Sequence, residues 1–379
     1  MKIAHINMFY LPTIGGVEQV MYELATRQVK AGHEVHVYCC DSDKHKIIKK
    51  KYEIIDGVHV HRLPYWFRLS LSTFIWPSLL WVLPKKEFDI IHTHVAGHAY
   101  ILIAGLIAKL KGTPHVITTH CPWTTAFRPL AVRLPLFFAD RIFNRLSFKL
   151  CTRIVAITPW EIPILKKWAP KKKITVIPNG VDSILFKKVK NNKFKKRLNI
   201  KGKIVLFFGR LNPTKGPDKF VLAAKEILKE REDITFVMIG PDEGMEPIVR
   251  KMINNDKRIL LLGKIRGKEI IAEMYQAADV YVMPSYREGL PLTLFEAMAS
   301  GLPIVASPVN GIPFEMKEPD NGFFVKYGDI SGLKENILRI LDNKNLIRKM
   351  SLNNIKKARL YTWDAIAGRY ERLYKELVD

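Results

Sequence analysis

The sequence predicts an α/β protein of two doubly wound, parallel-sheet domains, and three observations carry that prediction. The chain has 379 residues, which at about 150 residues per domain makes two, each long enough to bury a core of its own. Short β-rich runs alternate with longer helical patterns from end to end, the rhythm of β-α-β units. That rhythm restarts near Ile204, so two sheets are expected rather than one. With 48% hydrophobic and 26% charged residues, the composition is globular and excludes a disordered or fibrous chain.

The first domain is read as residues 1–183. Its strand candidates are Ile3–Met8, Glu34–Cys40, Val58–Leu63, Asp89–His94, Val116–His120, Arg153–Thr158 and Ile174–Pro178. Many are apolar throughout, as strands covered on both faces must be. Val17–Lys30 and Ala99–Lys111 carry helical patterns between them. Residues 63–84 are mostly apolar and hold Trp66, Trp76 and Trp81, but Arg68 and the mid-segment Pro77 make them a poor spanning helix. Two readings stay open there: a buried helix pair, or insertion at a membrane interface by tryptophans flanked by Arg62, Lys85 and Lys86. Phe127–Lys149 mixes Arg128, Arg133, Arg141 and Arg145 with Leu134, Phe137, Phe138 and Ile142. It reads either as core helices with snorkelling arginines or as a membrane-surface helix.

Residues 184–201, rich in Lys and Asn, read as a solvated linker with a helical end. The second domain, 202–361, has strand candidates Ile204–Phe208, Thr235–Ile239, Ile259–Leu262, Val280–Pro284, Pro303–Ala306 and Phe323–Val325. Helical patterns Asp218–Glu230, Lys268–Ala277 and Leu292–Ser300 separate them, and amphipathic helices follow from Ser331. Ligands of open α/β sheets bind beyond the carboxyl ends of the strands, so the loops just after the strands are the ones to read.

Sixty-one Lys and Arg against 36 Asp and Glu leave a net charge of +25, a surface that attracts nucleotides, phosphorylated substrates or acidic lipid. Nucleic acid is not expected: runs such as Lys49-Lys50-Lys51 and Lys171-Lys172-Lys173 lack interleaved stacking aromatics. The four cysteines (39, 40, 121 and 151) fit neither a disulfide framework nor a zinc site and read as reduced thiols. The chain opens directly on a strand pattern without the apolar stretch of a leader, so a cytoplasmic location is expected. His92-x-His94-x3-His98 has only Asp89 nearby and is read as the rim of a cleft rather than a metal site. Asp41-Ser42-Asp43 is read as turn chemistry at a strand end.

Three loops carry chemistry. Gly15 and Gly16 open a helix, letting a ligand approach backbone whose N–H groups are unpaired. Gly209-Arg210-Leu211-Asn212-Pro213-Thr214-Lys215-Gly216 places two cations five apart after a strand, suited to a diphosphate. In Ser285-Tyr286-Arg287-Glu288-Gly289-Leu290-Pro291-Leu292, followed by Glu296, a loop carboxylate and helix-start amides stand together, able to meet sugar hydroxyls and phosphate.

Glu288 and Glu296, eight apart, resemble the E-x7-E signature of retaining glycosyltransferases of family 4, enzymes of the two-domain GT-B fold. The resemblance spans essentially the whole chain. Gly15-Gly16-Val17-Glu18, Ala31-Gly32-His33-Glu34-Val35, Val176–Asp182, Gly209-Arg210 with Lys215-Gly216, and Thr362-Trp363-Asp364 fall in the order that family shows. It implies two Rossmann-like domains facing a central cleft, the first for the acceptor and completed by the helix 362–379, the second for the nucleotide sugar. Arg210 and Lys215 would bind the donor diphosphate. Glu296 would accept from the ribose, Glu288 from the donor sugar. Gly16 and the amides of Gly289, Leu290, Pro291 and Leu292 would lie against phosphate and sugar. The base would rest near Gly240, Lys264 and Ile265, and His120 beside the transferred sugar. Where the family continues with a second His or an Asp, this chain has Cys121-Pro122-Trp123; where a Gly pair is usual, it has Asn310-Gly311.

The activity so implied is metal-independent transfer of a hexosyl unit, with retention, from a nucleotide diphosphate sugar to a glycan or lipid-linked acceptor, with no cofactor. Separately, residues 63–84 and Phe127–Lys149 suggest peripheral contact of the first domain with an anionic membrane, at the inner face of the cell membrane. The competing readings are a nucleotide-sugar epimerase of the same architecture and a non-catalytic membrane or nucleic-acid binder.

Overall fold

A computed structural model describes residues 1–13, 15–43, 46–70, 73–121, 123, 141–189 and 193–379. These divide into two compact units, Met1–Asn179 with Trp363–Asp379, and Gly180–Thr362. The first holds strands β1 (Lys2–Ile6), β2 (Glu34–Cys40), β3 (Tyr52–Ile55), β4 (Val58–Leu63), β5 (Phe67–Ser70), β6 (Thr73–Ile75), β7 (Ile90–His94), β8 (His115–Thr118), β9 (Arg153–Ala156) and β10 (Ile174–Val176). The second holds β11 (Lys203–Phe208), β12 (Ile234–Ile239), β13 (Ile259–Leu261), β14 (Val280–Met283), β15 (Ile304–Ala306) and β16 (Gly322–Phe324).

The main sheet of the first unit runs β10-β9-β8-β7-β1-β2-β4-β3, and that of the second β13-β12-β11-β14-β15-β16. Every pair is parallel except β3 with β4. The strand order reverses between β1 and β7 in the first sheet and between β11 and β14 in the second. At such a reversal consecutive connections leave toward opposite faces and open a crevice at the strand ends. The Gly15-Gly16 loop follows β1; the Arg210 and Glu288 loops follow β11 and β14. Apolar strands covered on both sides make the cores: Ile6, Ile91, Ile117 and Ile154 in the first unit, and Val205, Phe236, Val282 and Val305 in the second.

The structure corrects three expectations. Residues 63–84 form no helix pair among the described residues: β5 and β6 pair antiparallel, and α-helix covers Leu79–Val82, continued by a 3-10 turn at Leu83–Lys85. Pro64 and Pro77 each remove a backbone donor and stop a helix from running through. β3 was not expected because it is an antiparallel edge strand with an alternating half-buried face, following Lys49-Lys50-Lys51, and shows no apolar run. The 184–201 segment is more than a solvated linker. Leu185 and Phe194 are buried, and Gln276 donates to the carbonyls of Leu185 and Lys187 (3.4 and 2.7 Å) while accepting from the Val189 amide at 2.8 Å.

The Asp41-Ser42-Asp43 turn is a turn. Ser42 bridges to Ile47, Asp43 accepts from the Lys46 amide, and Asp41 pairs with Lys51 at 2.5 Å. All four cysteines are free and buried. A helix covers 141–150, and the rest of the Phe127–Lys149 reading, like Pro122, lies outside the described residues. No helix among the described residues is long and apolar enough to cross a membrane.

The C-terminal helix Trp363–Val378 belongs to the first unit, where it packs on the helix Gly16–Lys30. Arg27 donates to Asp364 at 2.7 Å and His33 meets Glu371 at 2.7 Å, while Ile366, Tyr370, Leu373 and Tyr374 are buried. Leu373→Ala is expected to cost about 2–5 kcal/mol of stability, read from the urea midpoint. An unchanged midpoint would detach this helix from the unit's core.

Candidate active site

The second unit's crevice is built by three loops tied to one another through backbone. Gly209 donates its N–H to Ile239 (2.9 Å), Leu211 to Pro241 (2.9 Å) and Gly240 to Gly263 (2.8 Å). Gly240 sits at φ +154, and a Cβ there would lie 1.8 Å from the Gly209 carbonyl oxygen. Only glycine allows the β11 and β12 ends to approach so closely. Beyond β13, Lys264 is exposed and Ile265 half-buried.

Arg210 leads the first loop. Its guanidinium is half-exposed and donates to both oxygens of Glu243 at 3.0 and 3.1 Å. Asn212 caps the turn Pro213–Lys215 by accepting from the Thr214 amide (3.1 Å), and its Nδ2 donates to Glu243 at 2.7 Å. Gly216, at φ +65, ends the turn where a Cβ would lie 2.1 Å from the Pro284 carbonyl. The turn is thereby pressed against the end of β14, and the Tyr286 amide donates to Thr214 O at 2.9 Å.

This approach brings Lys215 Nζ to Glu288 Oε2 at 2.5 Å. The other carboxylate oxygen accepts from Ser285 Oγ at 2.7 Å. The Asn310 side chain donates to the Glu288 carbonyl, and the Gly311 amide to Gly289 O at 3.2 Å. Glu288 is buried, Lys215 largely so. A charge so removed from water persists only with a partner and satisfied lone pairs. Arg210 and Lys215, expected as two cations open to a diphosphate, thus each hold a carboxylate. The pairs differ: an exposed Arg210–Glu243 bridge is weak and exchangeable, whereas the Lys215–Glu288 pair is sheltered.

Glu296 lies one turn into the helix Leu292–Ala299, whose start at Pro291 has no side-chain cap and whose Leu294 amide bonds back to Pro291 O at 3.2 Å. Its Oε2 accepts from Tyr275 OH at 2.8 Å. Burial raises its carboxyl from the ordinary 4.5 to about 7, against the Tyr275 bond and with help from Asp182. Glu288 and Glu296 share no direct hydrogen bond, yet both charges, after burial, hold the Tyr281 phenol protonated. Tyr275, Ser285, Glu243 and Asn310 were not foreseen. Tyr275, Glu243 and Asn310 meet their partners across loops or helices that only folding joins, whereas Ser285 meets Glu288 within one loop.

In the first unit, Gly15 precedes the helix Gly16–Lys30 and lies under the Glu18 carboxylate, where a Cβ would be 2.2 Å from Oε2. A Cβ on Gly16 would find open space, leaving that uncapped helix start approachable. His120 follows β8 with φ +55, as does Cys121, a conformation costly without glycine. Glu161 holds it in place. Its Oε2 accepts from Thr119 Oγ1 (2.5 Å), Trp123 Nε1 (2.6 Å) and the Cys121 amide (3.2 Å), and its Oε1 from the Ile157 amide (2.9 Å). Burial raises the Glu161 carboxyl against these four bonds. Thr158-Pro159-Trp160-Glu161, a carboxylate just past a strand end, was the overlooked signal. His120 Nε2 reaches His94 Nδ1 at 3.1 Å, while His98 stacks on Tyr100 apart from that contact.

Two outcomes follow. A raised Glu296 pKa contributes stability that is present below about pH 4.5 and lost as pH rises through about 7. The wild type should therefore melt at falling temperature across that window, and Glu296→Gln should flatten the slope. Gly240→Ala should destabilise by about 1–3 kcal/mol or more through backbone strain, measured by denaturant unfolding.

The family described as Glycosyltransferase Family 4 matches residues 14–183, and that described as Glycosyl transferases group 1 matches 188–357. The chain is 30% identical over 373 residues to the UDP-Gal:alpha-D-GlcNAc-diphosphoundecaprenol alpha-1,3-galactosyltransferase of Escherichia coli, across 93% of this chain and 92% of that one. It is 26% identical over 395 residues to the phosphatidylinositol N-acetylglucosaminyltransferase GPI3 subunit of Saccharomyces cerevisiae, across 99% and 83%. The crystal structure of Anabaena Alr3699/HepE in complex with UDP superposes with a TM-score of 0.80 at 18% identity, across 99% and 100%. With two parallel-sheet units and the paired glutamates seated at the second sheet's reversal, the chain belongs to the family 4, group 1 glycosyltransferases of GT-B fold.

Proposed function

We propose that this glycosyltransferase moves a hexosyl unit from a UDP-sugar to a lipid-linked acceptor, with retention of configuration and without a metal ion. The observation that carries the reading is the sheltered Lys215–Glu288 pair at the β11–β14 reversal. Lys215 can turn its remaining donors to a diphosphate while Glu288 accepts from hydroxyls of the sugar, so one ion pair touches both sides of the bond that breaks. Arg210, once it exchanges Glu243 for phosphate, and the uncapped helix start at Leu292 stabilise the charge developing on the leaving diphosphate. The C1–O bond to phosphate breaks as the acceptor oxygen bonds C1 on the same face, and the acceptor proton passes to the departing phosphate oxygen. Glu296 accepts from the ribose, Gly240, Lys264 and Ile265 flank the base, and His120 and Gly16 lie by the transferred sugar. The uridine donor and the lipid diphosphate acceptor take their support from the Escherichia coli relative.

The first unit offers a surface that suits a lipid-linked acceptor. Trp66 and Trp81 are 68% and 55% exposed, with rings 6.4 Å apart, and Phe67 and Leu80 are exposed beside them. Lys85 and Lys86 follow closely and are also exposed, whereas Trp76 and Arg62, expected at the interface with them, are buried. Aromatics with flanking cations suit the headgroup level of an anionic membrane, to which this proposal assigns the enzyme peripherally.

Thermal-shift titration against UDP, GDP, ADP and their sugar conjugates tests the donor. UDP at about 100 times its Kd should add about 2.7 kcal/mol, and Arg210→Ala should abolish the selective shift. Glu288→Gln should lose transfer by about 100-fold or more and, by leaving Lys215 unpaired, lower the urea midpoint. No nucleotide shift in folded protein would overturn the reading. For the surface, Trp66→Ala with Trp81→Ala should cut co-sedimentation with phosphatidylglycerol vesicles; equal binding would exclude this patch.

A further inference from the structure

All 11 histidines fall within the first 120 residues, and parallel pairing gathers three of them inside the first unit. His5 on β1 stands beside His92 on β7, and His94 follows two residues later on the same face. All three are wholly buried, so His92 and His94 do not form the cleft rim expected of them. His5 Nε2 meets Gln28 Oε1 at 2.7 Å, His5 Nδ1 meets His94 Nε2 at 3.0 Å, and His94 Nδ1 meets His120 Nε2 at 3.1 Å. This is a continuous line from a buried carboxamide to the loop beyond β8.

The line has a direction. Burial drops His5 to about 4, His120 to about 3 and His94 well below its ordinary value, so each ring is neutral near pH 7 with one N–H and one bare nitrogen. The Gln28 carbonyl oxygen can only accept, so His5 carries its proton on Nε2 and leaves Nδ1 bare. His94 must then donate from Nε2, leaving its own Nδ1 bare. His120 must in turn donate from Nε2, and its Nδ1 is left as an acceptor with no partner among the described residues.

We propose that Gln28, His5 and His94 are positioning residues that fix His120 as the Nε2–H tautomer, presenting its bare Nδ1 to a hydroxyl donor. His92 walls the line without joining it: its nitrogens meet Tyr374 OH (2.6 Å) and Thr118 Oγ1 (2.7 Å), and its ring lies 4.1 Å from that of His94. The C-terminal helix thereby closes this interior from above through Tyr370 and Tyr374. The same three rings lie close enough to hold a metal ion, but every ring nitrogen of His5, His92 and His94 already has a hydrogen-bond partner. An ion there would break the line. That the hydroxyl belongs to the sugar or the acceptor rests on the glycosyl-transfer reading above; the tautomer does not.

The test is long-range 1H–15N NMR of the full chain with 15N-labelled histidine at pH 7, with His120 assigned through His120→Asn. The expected result is a neutral Nε2–H signature for His5, His94 and His120. His94→Asn, whose Oδ1 can still accept from His120, should keep the His120 signature. His94→Ala should give mixed tautomers at His120 and lower kcat by about tenfold, the loss of one hydrogen bond of about 1.4 kcal/mol, with KM for the nucleotide sugar unchanged. An Nδ1–H or protonated His120 in the wild type, or stoichiometric zinc bound by the purified protein with loss of the Nε2–H signals, would overturn the proposal. The expected tautomers with transfer indifferent to His94→Ala and His120→Asn would keep the line and overturn the placement of His120 beside the sugar.

Discussion

Lys215 and Glu288 lie far apart in sequence and meet at 2.5 Å with the carboxylate almost wholly removed from water. Breaking such a pair by removing one partner leaves an uncompensated charge, a penalty of about 3–5 kcal/mol. The loops on either side must therefore hold their shape for the pair to exist. Gly216 lets the Lys215 turn press against Pro284, Ser285 fills the second carboxylate oxygen, and Asn310 ties down the Glu288 backbone. The rest of the second unit's crevice depends on this contact, since the Arg210 loop, the helix start at Leu292 and Glu296 all hang from the same two strand ends.

The first unit solves the same problem with neutral groups. Its strand ends hold rings whose charged forms burial disfavours, linked in a line that ends at His120. A single buried carboxylate, Glu161, collects four donors and keeps the loop in a backbone conformation that non-glycine residues resist. On the proposed function, ionic pairing suits the second unit's crevice, because a cation already shared with a carboxylate has donors left to give to a diphosphate. Neutral hydrogen bonding suits a place where hydroxyls must be read, because a fixed tautomer states which partner donates and which accepts.

Much of this was legible in residue order. Strands in the body of a sheet announce themselves as apolar or alternating β-branched runs, so Glu34–Cys40 and Val58–Leu63 were placed to the residue. The edge strand Tyr52–Ile55 and the antiparallel pair Phe67–Ser70 with Thr73–Ile75 were not, because an edge or surface strand carries no such run. Glu288 and Glu296 could be singled out from a loop after a strand and the helix start that follows it, and the family resemblance implied their roles. Their partners could not: Tyr275 lies on another helix, and Gln28 and His5 meet only because a helix packs over β1.

By itself, then, the sequence determined what local chemistry determines: which segments can be buried strands, where glycine permits close approach, and which carboxylates and cations stand at strand ends. The tertiary structure decided who partners whom. Sheet order, absent from any local pattern, set β11 beside β14 and β1 beside β7. Those neighbours turned Lys215 and Glu288 into an ion pair and separate histidines into a line with a direction. The physical reason is range: backbone propensity acts over a few residues, whereas a hydrogen bond or ion pair needs atoms within about 3 Å, a distance that packing alone supplies.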